Sequence, residues 1–587
     1  MAQSNILVRL SGRKREHHMA TSNGDTKGAA PDISWRRRSL TSLRRRLSPG
    51  LRPVFPSSKA PRRDLDAASD PPQAVCEVFN NGEVLNNNDT TELPTPYNKP
   101  VELIRQEEYP HMNQGTYLDH SGATIPALST LHRTTSLLAT NLYGNPHSAN
   151  TPAARSGAAV DAVRAAALAF LGADPRYFDL VFVANATAGI KLVGDAFRDL
   201  GGLGAAAAKG GGWGGGFWYG YHAEAHTSLV GVRELTGGGG HYCFGGGDAE
   251  VERWLDAESG SGAGAEMGRA SSLGLVAWPG QSNLTGRRLP AAPGWARRVR
   301  GLARRGRGDT YSLLDAAALA MTSGLGEVFA DPEAAPDFVC VSFYKIFGFP
   351  DLGGLVVRKE SGHILALRKY FGGGTVSIVS TVGGAWHLSK GLEAGAVATP
   401  GEEHGGALHE GLEDGTLPFH GILALGEAIN VHAELYGSME NISIHTTTLM
   451  RRMIYEGGDG GAAFGDARLQ GATVAFNVFR ADGGYESYAT VERLANDKGV
   501  YVRSGGPDGI GLINELPTGV VRASLGAMST IHDVDRFLSF LHETFVARAD
   551  SAYASSEGNG SVMSDQLKRR STVSAERHEH DPNGAAC

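Results

Sequence analysis

The chain has 587 residues, 41% of them hydrophobic, and is therefore long enough to form more than one domain around a large core. Its formal net charge of -7 gives no electrostatic reason to expect nucleic acid or an anionic membrane as a partner. No stretch of about 18 apolar residues occurs, so the sequence predicts no membrane-spanning helix.

Residues 1–100 are predicted to form a basic, disordered N-terminal tail. They contain the arginine runs 36–38 and 44–46, many prolines and serines, and too few apolar positions to form a core. Residues 549–587, rich in Ser, His and charge, are predicted to form a second disordered tail. The glycine runs 210–216 and 237–240 are interpreted as flexible loop insertions.

Between the tails, short apolar runs alternate with helical patterns, which is typical of a mostly parallel sheet covered by helices. The strand-like runs are 179–184, 273–278, 311–314, 338–342 and 354–357. After about Pro400, long helical patterns and one strand-like run predict a smaller α+β domain. We therefore predict an α/β fold with a large domain over 101–398, whose first residues pack on a small C-terminal domain over 399–548.

Four scattered cysteines (Cys76, Cys243, Cys340 and Cys587) form no Cys-x-x-Cys pair, so neither a disulfide framework nor a metal site is predicted. This pattern favours a reducing compartment. We expect a cytoplasmic location, with a mitochondrial one as the alternative because the N-terminus is rich in Arg and Ser.

Lys345 stands in a setting that favours chemistry. It follows the apolar run 338–342 and precedes a Gly/Pro turn, so it lies at a strand end, where α/β folds bind ligands. About thirty residues upstream, the run 311–314 ends in Asp315, a carboxylate that needs a cationic partner. The pyridinium of pyridoxal 5'-phosphate (PLP) is such a partner, held as a Schiff base on Lys345. The alternatives are an exposed turn lysine and a helix N-cap at Asp315.

Nine short motifs occur in order along the chain. They are YLDHSGAT (117–124), YGNPHS (143–148), FVANATAG (182–189), AHTS (225–228), PGQSN (279–283), SFYKIFGFP (342–350), FGGGT (371–375), LEDGT (412–416) and VRASL (521–525). Together they resemble the class V aminotransferase and cysteine desulfurase group of fold-type I PLP proteins, most closely the N-terminal domain of eukaryotic molybdenum cofactor sulfurases. The resemblance runs from about 117 to 546 and implies PLP as cofactor and a homodimer.

Carried over position by position, the resemblance implies Lys345 as the Schiff-base lysine and proton shuttle, Asp315 on the pyridinium, and His226 stacked over the ring. An imidazole face suits a flat cationic ring. The same motifs imply the remaining cofactor-binding positions, which are Ala186, Thr187, Asn283, Ser342, Tyr344, Gly374 and Thr375. Ala186 and Thr187 begin a helix, whose N-H groups favour a phosphate.

Substrate binding is implied at three further positions. Arg522 corresponds to the arginine that binds the α-carboxylate of an amino-acid substrate, for which a planar guanidinium is suited. Arg503 and His147 are the other two. Gly374 and Thr375 are implied to reach the site from the second subunit of the dimer.

One departure from the resemblance bears on function. Sulfurases and desulfurases of this group carry a nucleophilic cysteine on a loop after an Arg-Thr-Gly motif, whereas here Arg503-Ser-Gly505 is followed by residues 506–514 without a cysteine. Gly506 and Asp508 stand at the expected positions, so persulfide chemistry is expected to be lost. The chain is also too short to include the C-terminal domain of full-length sulfurases.

Three functions remain open. The first is a sulfurase-like PLP enzyme that acts on an amino acid, with L-cysteine as one candidate. The second is another PLP reaction, such as transamination, racemisation or β-elimination. The third is a PLP-binding regulatory protein without turnover.

Overall fold

The computed structural model describes residues 96–207, 215–257, 273–289, 292–305, 308–383, 386–390, 407–454, 466–478, 484–505, 512–513, 516–517 and 519–546. The predictions for residues 1–95, 210–214 and 549–587 and for Gly506 and Asp508 lie outside the described residues. At the end of the predicted N-terminal tail the prediction is wrong, because Tyr97 is buried in the core and donates a hydrogen bond of 3.0 Å to the carbonyl oxygen of Ala527.

The helices of the described part are numbered in chain order. They are α1 (Val101–Glu108), α2 (Leu128–Thr140), α3 (Thr151–Leu171), α4 (Ala186–Ala207), α5 (Thr227–Val230), α6 (Gly247–Asp256), α7 (Ala292–Arg300), α8 (Gly326–Phe329), α9 (Phe343–Phe347), α10 (His363–Ala366), α11 (Phe419–Tyr436), α12 (Met439–Met453), α13 (Tyr488–Asp497) and α14 (Ile531–Leu541). Short 3-10 helices span Pro110–Gln114, Gly231–Leu235, Ala303–Arg305, Lys359–Ser361 and Leu408–Gly411, and a π-helix spans His542–Val546.

The strands are numbered in the same way. They are β1 (Thr116–Tyr117), β2 (Phe178–Val183), β3 (Trp218–His222), β4 (His241–Phe244), β5 (Leu273–Pro279), β6 (Asp309–Asp315), β7 (Phe338–Ser342), β8 (Gly353–Arg358), β9 (Val376–Val379), β10 (His387–Ser389), β11 (Thr473–Phe476), β12 (Val500–Tyr501), β13 (Arg503–Gly505), β14 (Leu512–Ile513), β15 (Leu516–Pro517) and β16 (Val520–Ser524).

A seven-stranded sheet of order β2-β8-β7-β6-β5-β3-β4 forms the centre of the fold. Only β8 runs against its neighbours β2 and β7, and every other pairing within this sheet is parallel. Its two faces are covered by different helices, because Val339 and Val341 of β7 pack in the core with α3 and α11, whereas Cys340 packs in the core with α4. The predicted α/β class with a mostly parallel sheet is confirmed.

Two strands of this sheet, β3 and β4, were not predicted because glycine-rich sequence flanks them. The run 237–240 before β4 is a tight turn, and its interpretation as a flexible insertion is wrong. Gly237 and Gly240 have φ angles of 59° and 75°. A Cβ on Gly239 would lie 2.1 Å from the carbonyl oxygen of Phe217, so the backbone approaches too closely for any side chain.

A second, antiparallel sheet of order β11-β16-β13 packs with α12, α13 and α14 around its own core. The start of the folded chain contacts this part, since β1 pairs in parallel with β12 and Leu118 lies in the same core. Arg105 of α1 forms an ion pair of 2.8 Å with Asp533 at the start of α14. The domain boundary at 398/399 stays a prediction.

Within the described ranges, no helix combines the length and the apolar character needed to cross a bilayer. The same part of the chain contains no group of three or more His, Cys, Asp or Glu side chains that could hold a metal ion. The cytoplasmic location stays a prediction.

Candidate active site

Five of the predicted site residues follow strands whose carboxyl ends meet at one edge of the central sheet. Ala186 follows β2, His226 follows β3, Asn283 follows β5, Asp315 ends β6, and Lys345 follows β7. Strands β2 and β7 run in the same direction because both are antiparallel to β8. This edge is where open α/β sheets bind ligands.

Lys345 is half-buried in α9, the short helix that follows β7. No hydrogen bond or ion pair of its Nζ lies within the described part of the chain. Burial lowers the pKa of Lys345, and the charges of Arg522 and Arg503 lower it further, while Asp315 opposes the shift. A larger fraction of the amine is therefore uncharged at neutral pH, and this is its nucleophilic form.

Asp315 is buried at the end of β6, between Pro279 of β5 and Cys340 of β7. Its Oδ1 accepts a hydrogen bond of 3.0 Å from the N-H of Ala317, but residues 316–320 form a turn and no helix, so the alternative of a helix N-cap is wrong. It forms no ion pair among the residues that the structure describes. Asp315 ends β6 and Lys345 follows the neighbouring strand β7, so the two groups lie at the same edge of the sheet, and the charge of Asp315 raises the pKa of Lys345.

His226 is the N-cap of α5, and its Nδ1 accepts the N-H of Ser228 at 3.2 Å. The Ser228 hydroxyl lies 2.9 Å from that Nδ1 and 2.7 Å from Oγ1 of Thr187 at the start of α4. Burial lowers the pKa of His226, partly offset by Asp315. The ring is thus held neutral, with the proton on Nε2. Sequence reasoning missed Ser228, although it lies in the AHTS motif.

One hydrogen bond changes which groups at Ala186 and Thr187 can bind a phosphate. The N-H of Ala186 donates to Oγ of Ser342 at 3.0 Å, so this N-H already has an acceptor. The hydroxyl proton of Ser342 remains to donate near the N-terminus of α4, where the helix dipole favours an anion. The Thr187 hydroxyl donates to Ser228 in this arrangement, because the Ser228 proton goes to Nδ1 of His226. Tyr344 is half-buried in α9, and its carbonyl accepts the N-H of Gly348.

Arg522 belongs to a polar network that extends the site toward the small sheet. Its Nη1 donates to the backbone carbonyl of Asn283 at 2.6 Å, and its Nη2 lies 3.3 Å from Oδ1 of Asp119. Oδ2 of Asp119 accepts from Nη2 and Nε of Arg503 at 2.9 and 3.0 Å. The Nε of Arg522 is buried without a partner in the described residues. Sequence reasoning missed Asp119, although it lies in the YLDHSGAT motif.

His147, Gly374 and Thr375 form a separate group. The Nε2 of His147 lies 3.1 Å from the carbonyl oxygen of Gly415, and a Cβ on Gly374 would lie 2.3 Å from the His147 ring. The Thr375 hydroxyl bonds within its own loop and to Asp414 at 3.3 Å. The roles of His147 in substrate binding and of Gly374 and Thr375 in the site of a second subunit stay predictions.

The fold is that of the cysteine desulfurases. An apo cysteine desulfurase from Thermococcus onnurineus matches 77% of this chain and 98% of its own length, with a TM-score of 0.54 at 17% sequence identity. No family model matches the chain.

By sequence identity, the chain is more similar to the molybdenum cofactor sulfurases. The chain is 45% identical to the molybdenum cofactor sulfurase of Botryotinia fuckeliana over 493 residues, which are 77% of this chain and 56% of the relative. It is 42% identical to that of Aspergillus terreus over 495 residues, 77% of this chain and 55% of the relative. The chain thus spans about half the length of the curated relatives it matches, and the predicted resemblance to the molybdenum cofactor sulfurases is confirmed as a similarity over that part.

Proposed function

We propose that this chain binds PLP covalently at Lys345 and is an enzyme that acts on an α-amino acid. The observation that carries the proposal is a half-buried amine without a partner in the described residues, at the same edge of the sheet as a buried carboxylate on the neighbouring strand. A charged group that is withdrawn from water without a partner costs free energy, and a ligand that pairs with both groups would remove this cost. The names of the relatives, sulfurase and cysteine desulfurase, support an amino-acid substrate.

The charges around Lys345 suit an anionic ligand. Two guanidinium groups, Arg503 and Arg522, lie on the same face of the small sheet and lower the pKa of Lys345, while Asp119 pairs with both of them. PLP brings a phosphate and an amino acid brings a carboxylate, and both are anions that such a site attracts.

The remaining donors match the other parts of the cofactor. Asp315 would accept the N-H of the pyridine ring, His226 would contact the ring face, and the hydroxyl of Ser342 would donate to the phosphate. When bound, PLP supplies an electron sink for the bonds of the substrate's α-carbon.

The residues of this chain then have separate tasks. Arg522 binds the α-carboxylate and thereby orients the α-carbon. Lys345 Nζ, uncharged in part because of burial, accepts or returns the proton of that carbon. His226 stays neutral, and its Nε2 is the nitrogen that can donate, because Nδ1 accepts the N-H of Ser228.

Sulfur transfer through a loop cysteine is not part of the proposal. Residues 506–514 contain no cysteine. In the described part of the chain, Cys340 is buried in β7, and burial raises the pKa of its thiol well above the usual value, while Cys243 is exposed on β4, outside the loops that carry the site. Transamination or β-elimination is therefore the second candidate.

The proposal is tested by Lys345→Ala, with Lys191→Ala as the matched control on the exposed face of α4. The wild type and Lys191→Ala should be yellow and, after borohydride reduction, carry the cofactor's mass on the peptide that contains Lys345. Lys345→Ala should carry none. Cofactor attached to a different lysine in the wild type would refute the assignment. A holoprotein whose spectrum responds to no L-amino acid would favour the regulatory function.

We also propose that the protein is a homodimer. The hairpin β9–β10 follows the FGGGT motif and exposes large apolar side chains, with Val382 and Trp386 exposed to 85% and 56%. Apolar patches of this kind mark interfaces. Sedimentation at micromolar concentration should give a dimer, and Val382→Asp with Trp386→Asp should weaken it. A monomer that binds PLP fully would contradict the proposal.

A further inference from the structure

The carboxylate of Asp119 lies between the two arginines of the site. It accepts two hydrogen bonds from Arg503, at 2.9 and 3.0 Å, and lies 3.3 Å from Nη2 of Arg522. We propose that Asp119 is a specificity-determining residue, which restricts the site to amino acids with an uncharged side chain by occupying the second arginine. The inference rests on the proposed function, because it concerns the substrate of the same site.

The backbone fixes this arrangement. Arg503 of β13 and Arg522 of β16 are direct partners in an antiparallel register, so their side chains lie on the same face of the small sheet. Asp119 follows β1 and forms a parallel bridge with Ser524, two residues after Arg522. Arg522 donates to the carbonyl oxygen of Asn283, which follows β5 at the edge of the central sheet that also carries Lys345, so the three groups adjoin that edge.

The two arginines differ in what remains available to a ligand. Arg522 has a side chain only 9% exposed and lies 3.3 Å from Asp119 through a single nitrogen, so it is the cation suited to a carboxylate held inside the site. Arg503 is 53% exposed and already bound by Asp119 through two nitrogens. The α-carboxylate therefore takes Arg522, and Arg503 is neutralised within the chain.

An acidic side chain on the substrate would meet an unfavourable environment. Its second carboxylate would find Arg503 paired and would approach the negative charge of Asp119, and like charges brought together are repelled. Asp119 thus discriminates by a repulsive element, which is how many sites reject a close analogue. An uncharged side chain meets no such repulsion.

The test uses purified holoprotein and isothermal titration calorimetry with L-alanine and L-aspartate. L-Alanine is chosen because its side chain has no leaving group. The wild type should bind alanine more tightly. Asp119→Asn removes the negative charge and frees Arg503, and should shift the ratio of the two dissociation constants toward aspartate by about fivefold, as for a partly exposed ion pair.

Three further variants separate specificity from structure. Asp119→Glu should keep the wild-type ratio, and so should Asp535→Asn, which removes a carboxylate paired with Arg452 at 2.8 Å away from the site. Arg503→Gln removes one of the two guanidinium groups that neutralise Asp119 and should shift the ratio of dissociation constants toward alanine. This variant also tests the proposal if Asp119→Asn does not fold.

The outcomes are distinct. An equal loss of affinity for both amino acids in Asp119→Asn, or an unchanged ratio in both Asp119→Asn and Arg503→Gln, would overturn the inference and leave Asp119 a structural role. A wild-type holoprotein that binds neither amino acid would refute the proposed function itself.

Discussion

Gly122 lies next to the Asp119–Arg503 pair, where a single methyl group has no room. A Cβ at this position would lie 2.4 Å from Nη2 of Arg503 and 2.7 Å from Oδ2 of Asp119. Both atoms are at the ends of flexible side chains, so the fold can adapt while the ion pair is displaced. The glycine therefore protects the geometry of the site more than the stability of the fold.

We predict that Gly122→Ala changes the free energy of unfolding by less than about 1 kcal/mol but lowers the affinity for L-alanine about tenfold. The matched control is Gly157→Ala in α3, where a Cβ meets nothing within 4 Å. This change should stabilise the protein by about 0.5–1 kcal/mol and leave affinity unchanged. Urea unfolding and calorimetry check both. A variant that loses stability and affinity in parallel would show that Gly122 is structural.

Single residues of the site differ in how far the sequence reveals them. Lys345 and Asp315 were predicted because each follows an apolar run, so that their position at a strand end is a local property. Asp119 and Ser228 were missed because their roles arise from contacts with distant residues. The Asp119–Arg522 pair joins positions 403 residues apart, and no local pattern encodes it.

At the scale of elements, the junction of β7 and α4 depends on one hydroxyl. Ser342 ends β7, and its Oγ accepts the N-H of Ala186, the first residue of α4. The contact is buried, so removing the acceptor leaves a buried N-H without a partner. The same hydroxyl is a proposed donor to the phosphate.

We expect Ser342→Ala to destabilise the apoprotein by about 1–3 kcal/mol and to weaken PLP binding as well. Ser323→Ala, at a serine whose hydroxyl makes only a long bond of 3.4 Å to Gly324, should change neither. Denaturant unfolding with and without PLP separates the two effects. Equal stability of Ser342→Ala and its control would show that the junction does not depend on this bond.

The elements themselves were predictable where periodicity was undisturbed. Strands β5 to β8 and helices α11 and α12 appear close to their predicted positions, because long apolar runs and helical spacing dominate those segments. Strands β3 and β4 were missed since glycine runs adjoin both. Their place in the sheet comes from pairing of β3 with β5 and of β4 with β3, and local sequence does not encode these contacts between segments.

Three buried histidines make the stability of the whole fold sensitive to acid. His120, His432 and His445 each have a pKa lowered to about 4, chiefly by burial. His120 and His445 both contact Ser529, and His432 packs with its ring against Phe170, Phe347 and Tyr436. They lie between the N-terminal segment, the long helices and the loop before α14, so their protonation opposes the packing of all three.

The sign of the pH dependence follows from these values. An unfolded histidine takes a proton below about pH 6.5, whereas the folded chain keeps these rings neutral until about pH 4. The free energy of unfolding is therefore unaffected by these histidines above about pH 6.5. It decreases as the pH falls from 6.5 toward 4, by up to about 1.4 kcal/mol per pH unit for each histidine.

His432→Phe keeps an aromatic ring in an aromatic site and removes one titrating group, so its unfolding free energy should fall less steeply between pH 6.5 and 4. Denaturant unfolding across this range, with the exposed His241→Gln as control, measures the slopes. Equal slopes for wild type and His432→Phe would contradict the assignment of His432 as a source of acid sensitivity.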